Sequence, residues 1–162
     1  EDLEAQYRYA LRVWSRLTEL NEAVNTIREL KRQLERWSGS DDEVGAAAKA
    51  LTEALTEVEG ELVQVEVKGS GRLGIPDKLD GKLRVLLQHA NFPARPTGAS
   101  AAVADELSDR LDGVLERLRG LLDGQVAAFN ELVRQAAAPA LAPKPSAAQT
   151  GAAAAAADTG RI

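Results

Sequence analysis

The sequence predicts an all-α fold, an elongated antiparallel helical bundle followed by a low-complexity tail, and three observations carry that reading. Apolar residues recur at steps of three and four through four separate stretches. Leu, Ala, Glu and Arg are abundant while aromatic residues make up only 4% of the chain, a balance that favours helices over sheets. Turn-forming clusters separate the stretches: Ser38-Gly39-Ser40, residues 68–78 and residues 91–97.

The first stretch, residues 2–37, reads as one long helix. Leu3, Tyr7, Ala10, Trp14, Leu17, Asn21 and Val24 step by four and three, and Val13, Leu20, Ile27, Leu30 and Leu34 widen the stripe. Charged residues such as Arg12, Arg16, Glu22 and Arg28 occupy the other side. A stripe broader than a two-stranded seam predicts a helix that faces two neighbours. At about 1.5 Å per residue it spans roughly 55 Å, which requires a rod rather than a sphere.

Ser40 and Glu43 fit a capping box for the second helix, and Asp41, Asp42 and Glu43 complement the positive end of its dipole. That helix uses Val44, Ala47, Ala48, Leu51, Leu55, Val58, Leu62 and Val65, and fades at Lys68. Residues 68–78 form a loop, since three glycines and Pro76 disfavour a continuous helix. A short third helix follows, with Leu79, Leu83, Leu86, Leu87 and Ala90 on one face. The last helix runs over residues 100–136 on Val103, Leu107, Leu111, Val114, Leu118, Leu121, Leu122, Phe129, Leu132 and Val133. Gly113, Gly120 and Gly124 within it permit a close helix approach or mark a bend. The second and third helices together match the length of the first and last. The simplest topology is therefore three layers, up, interrupted down and up; a four-helix bundle with the short helix folded back is the alternative. The bundle is assigned to residues 1–137 and the Ala/Pro-rich tail or linker to residues 138–162, whose composition cannot offset the entropy of ordering.

Few constellations suggest chemistry. Residues 69–74, Gly-Ser-Gly-Arg-Leu-Gly, match G-x-G-x-x-G, and Val63, Val65 and Val67 alternate before them. A dinucleotide site needs a βαβ unit around that motif, and Pro76 with no second parallel strand argues instead for an inter-helix loop. His89 is the only histidine and there is no cysteine, so no zinc set forms around it; it caps carbonyls at a helix end or sits in solvent. Asp105 and Glu106, like Asp41–Glu43, fall in a first helical turn and answer the dipole without a metal. Asn21 and Asn130 lie on or near the apolar stripes, either as register-setting buried pairs or as rim residues. Core or end-plug packing is expected of Tyr7, Trp14 and Trp37, with an exposed anchor for a partner as the alternative for Trp37. Trp37, Phe92 and Arg95 are the candidate partner contacts; no catalytic, cofactor-binding or metal residue is assigned.

The bulk properties set further bounds. A net charge of −5 argues against nucleic-acid binding, which needs a basic footprint. No apolar run approaches the roughly 20 residues of a membrane span. The chain starts at Glu1 and contains no Met, the expectation for a mature form or an excerpt of a longer protein.

Several strings resemble a known family. Ile75-Pro76-Asp77-Lys78-Leu79-Asp80-Gly81-Lys82-Leu83, then Pro96-Thr97, then Ala127-Ala128-Phe129-Asn130-Glu131-Leu132 are similar to the C-terminal helical region of large bacterial BNR-repeat, sortilin-like proteins. Residues 20–28 with Gln33-Leu34 are similar too, so the resemblance spans roughly residues 17–138. It implies a parent with β-propellers upstream and an extracytoplasmic location. The glycosyl hydrolase label often attached to such parents belongs to the propeller repeats, and none of its residues carries over. The expected function is a non-catalytic interaction or scaffold module, contacting the parent's propellers, a copy of itself or another subunit. A structural stalk of a larger assembly is the alternative, and a nucleotide-binding role for the Gly-rich loop a third.

Overall fold

A computed structural model describes residues 2–40, 42–65, 77–90 and 96–136. Its helices are α1 (Asp2–Leu34), α2 (Glu43–Leu62), α3 (Leu79–Ala90), α4 (Gly98–Leu121) and α5 (Ala127–Ala136), with a single π-helical turn (Leu122–Val126) joining the last two into one rod. There is no strand among the described residues, so the all-α bundle is as expected. The Gly-rich segment, the candidate contacts Phe92 and Arg95, and the tail from residue 137 lie outside the described residues.

Cross-helix contacts give the topology. Tyr9 meets Ser100, Arg12 meets Asp105, Arg16 meets Ser108 and Asp112, and Trp37 meets Phe129, so α1 and the α4–α5 rod run parallel. The Gln6 side chain donates to the carbonyl of Ala90 at 2.7 Å, which sets the end of α3 beside the start of α1. Arg117 pairs with Glu61, and Glu59 pairs with Arg28 and Lys31, which places α2 antiparallel along the second half of α1. Thus α2 and α3 form the two halves of an interrupted return pass. The three-layer arrangement is the observed one, about 50 Å long along α1.

One core runs the length of the rod. Val13, Leu20 and Ile27 of α1, Leu55 and Leu62 of α2, Leu83 of α3 and Leu111 of α4 are essentially inaccessible. The stripe on α1 differs from the expected one in its first half. Tyr9, Val13, Leu17 and Leu20 face the core, while Leu3, Tyr7 and Trp14 point away from it, 76%, 64% and 56% exposed. The first half of α1 carries two apolar stripes, and the bundle uses only the one that α3 and α4 can reach. Asn21 and Asn130 are exposed, as rim residues. Val103 is also exposed, with Ala104 taking the buried position.

The termini of the elements hold further corrections. α1 stops at Leu34 and Trp37 lies in the turn that follows, where its backbone N–H still reaches the Leu34 carbonyl at 2.9 Å. Asp42, not Ser40, caps α2: its carboxylate accepts from the Gly45 N–H at 2.8 Å. The backbone of Ser40 instead passes directly over Gly45, and a methyl group there would lie 2.0 Å from the Ser40 carbonyl oxygen. α2 ends at Leu62, so Val65 leaves the stripe and is exposed. α4 starts at Gly98, capped by Thr97, whose hydroxyl accepts from the Ser100 N–H. Asp105 and Glu106 therefore fall beyond the first turn, and Asp105 serves Arg12 rather than the dipole. Gly113, Gly120 and Gly124 have open space where a Cβ would sit, so none mediates close packing, and Gly124 lies within the π-helical turn.

Two substitutions separate these glycine roles. Gly45→Ala forces the α1–α2 turn off its helix and is expected to cost about 2 kcal/mol. Gly113→Ala and Gly120→Ala meet nothing and are expected to raise stability by roughly 0.5–1 kcal/mol each. Urea unfolding of the three variants measures both.

Candidate functional site

Three features of the rod stand out: a buried ion triad, an uncovered apolar face and a pocket at one end.

The triad centres on Glu59 of α2, at 3% exposure the only charged side chain that is buried among the described residues. Arg28 Nε donates to one carboxylate oxygen at 2.7 Å and Lys31 Nζ to the other at 3.0 Å. Both cations come from one face of α1, three residues apart, so two turns of α1 are tied to one point on α2. Burial alone pushes the Glu59 carboxyl up, but the two hydrogen bonds and the positive charges outweigh it and the net shift is downward. On the far side of α2, Arg117 of α4 holds Glu61 below the usual carboxylate range, chiefly by its hydrogen bond. These pairs tie α2 to α1 and to α4. Among the described residues no group of three His, Cys, Asp or Glu converges on a point that could hold a metal ion. His89 is exposed in the last turn of α3.

The uncovered face lies on the first four turns of α1. Leu3, Tyr7, Leu11 and Trp14 are the exposed large apolar residues there. From Thr18 onward the same side of the helix carries Asn21, Asn25 and Arg32 instead. The apolar patch is thus confined to one end of the rod, in the order of 500 Å² of side-chain surface. Trp14 and Tyr7, expected to pack inside, are its centre: they share the helical period of the core stripe but lie on the opposite side of α1, which no other helix covers among the described residues.

The cavity lies at the other end. Leu30 and Leu34 of α1, Leu51 of α2, and Val126, Phe129 and Val133 line a partly open pocket of about 200 Å³. Trp37 closes one side, edge-on to Phe129 with ring centroids 6.3 Å apart and planes at 76°. Trp37 is half-buried, so it combines the packing role and the more exposed position that the sequence held as alternatives. The π-helical turn shapes this wall. Core spacings along α4 alternate three and four from Ala104 to Leu118, then lengthen to four and four through Leu122 and Val126. The extra residue re-aims Phe129 and Val133 at the end of α1. Three successive steps of four, from Val114 through Leu118 and Leu122 to Val126, beside Gly124, are the trace of the turn in the sequence.

No protein-family model, curated protein or solved structure matches the chain. No helix among the described residues is long and apolar enough to cross a membrane.

The Glu59 triad predicts an acid-sensitive component of stability. Its folded-state value lies below the ordinary 4.5, so the contribution is complete above that value and is lost as pH falls through the lowered one. Glu59→Gln is expected to cost about 1–2 kcal/mol at pH 7 and to flatten the decline of stability between neutral and acid pH. Thermal melts of both proteins from pH 7 to pH 3 measure it.

Proposed function

We propose that this chain is a non-catalytic helical interaction module whose protein-contacting surface is the exposed face of α1 at Leu3, Tyr7, Leu11 and Trp14. The observation that carries the reading is the confinement of that face. A rod stabilised by its own continuous core has no use for four large apolar side chains in water at one end only. Tyrosine and tryptophan are also the residues that supply most of the energy at protein contacts, since each buries a large area and fixes few torsions. The flanking Glu4–Arg8 and Arg12–Asp105 ion pairs are solvent-exposed and form the polar rim expected around such a contact.

The resemblance to the helical region of BNR-repeat, sortilin-like proteins supports a partner within the same parent protein, in the propellers upstream. A second copy or another subunit fits the same surface chemistry. In each case the rod acts as a scaffold that presents one sticky end.

The test places a photo-crosslinking amino acid at position 14 or, as a control, at the polar position 25 in the native source. A discrete adduct from position 14, weakened by Tyr7→Glu and absent from position 25, is the expected outcome. Both positions are exposed, so helicity by circular dichroism stays unchanged. Equal labelling from the two positions, or none from position 14, overturns the reading.

A further inference from the structure

The cavity at the far end of the rod is independent of the α1 face and has its own chemistry. Its lining mixes apolar side chains, Leu30, Leu34, Leu51, Val126, Phe129 and Val133, with the polar Gln33, Arg36 and Asn130. Arg36 is the one charged residue in that lining, and no carboxylate accompanies it, in a chain whose net charge is −5.

The state of Arg36 sets it apart from the other arginines at helix contacts. Arg12, Arg16, Arg28 and Arg117 each meet a carboxylate on another helix. Arg36 Nε donates only to the Gln33 carbonyl, at 3.4 Å, and its guanidinium has no ion pair among the described residues. Gln33 is engaged with Glu29 through its amide nitrogen at 2.9 Å. A guanidinium with no ion pair among the described residues thus lines the same pocket as the indole of Trp37.

Size narrows the class of ligand. A dry apolar cavity of about 150 Å³ holds a benzene-sized molecule. The 200 Å³ here takes one ring with a short side arm, or a compact pair of rings. The Trp37–Phe129 pair offers an aromatic wall, which favours a flat ring over a flexible chain. A planar, fork-shaped donor at the rim suits a carboxylate, which it can bind through two parallel hydrogen bonds.

We propose that this cavity is a binding site for a small arylalkanoic acid, with the ring between Leu51, Val126 and Phe129 and the carboxylate on Arg36. The ring replaces water against apolar side chains, and the carboxylate satisfies the one unpaired cation of the lining. The π-helical turn supplies the wall without which the site would lack Phe129 and Val133 in their observed places, in keeping with the frequent occurrence of such turns at binding sites.

Calorimetric titration of the full chain with phenylacetate and 1-naphthylacetate tests the site, with phenylacetamide as the neutral probe. Saturable one-to-one binding is expected, with the acid about tenfold tighter than the amide, a ratio that Arg36→Gln reduces to near one. Val133→Phe fills the cavity and abolishes binding of all three probes. Arg36 is exposed, so the Arg36→Gln arm decides the matter even where Val133→Phe perturbs folding. No binding at millimolar probe, equal affinity for acid and amide, or full acid affinity in Arg36→Gln each overturns the proposal. So does binding that survives in a folded Val133→Phe, which would mean that the probe sits elsewhere, for instance on the α1 face.

Discussion

The core stripe of α1 is the constraint on which the rest of this structure depends. A helix of 33 residues with an unbroken apolar stripe from Tyr9 to Leu34 must be covered along its whole length. Neither α2, at 20 residues, nor α3, at 12, covers it alone. Both must therefore pack on it in succession, and the α4–α5 rod must run its full length on the other side. An isolated helix as short as α3 is marginal in water, so its existence depends on the contacts of Leu79, Leu83 and Leu86 with that spine. The interrupted middle layer follows from the same need.

Polar contacts refine this arrangement without driving it. The pairs linking α1 to α4 are exposed or partly so, and such pairs contribute little energy each. Their regular spacing along the two parallel helices fixes register more than stability. Glu59 differs, because its carboxylate is buried and answered by two cations from one helix. Removing Glu59 leaves both cations without their partner, which makes this point of the α1–α2 contact specific rather than merely apolar.

Most of the fold was legible in the sequence, since periods of three and four report helices directly and the turn clusters fall between them. The positions of Leu55, Leu83, Leu111 and Leu118 follow from that pattern alone. Three details did not, each for a physical reason. Periodicity cannot tell an inner stripe from an outer one, so Tyr7 and Trp14 were placed inside. Two residues two positions apart can both cap a helix, and the close passage of Ser40 over Gly45 excludes the Ser40 arrangement in favour of Asp42. A π-helical turn changes the pattern by a single residue, less than the natural scatter of a helical stripe. Of the candidate contact residues, Trp37 was expected as core or end packing or as an exposed anchor; it is half-buried against the core, in the turn that follows α1 rather than at its end. The uncovered α1 face was visible as a second stripe but had no signature of being spare.

An odd number of passes has a mechanical consequence. In a hairpin or a four-pass bundle, the chain comes and goes at one end. Here Asp2 stands at one end and Ala136 at the other, because α1 and α5 point the same way. Whatever is joined before the first helix and whatever continues beyond the last are held apart by the length of the rod, about 50 Å. Tension applied between Asp2 and Ala136 would pass along the rod's axis and load the three layers in shear. That is the loading against which long parallel seams, such as the one from Tyr9–Ser100 to Trp37–Phe129, offer the most resistance.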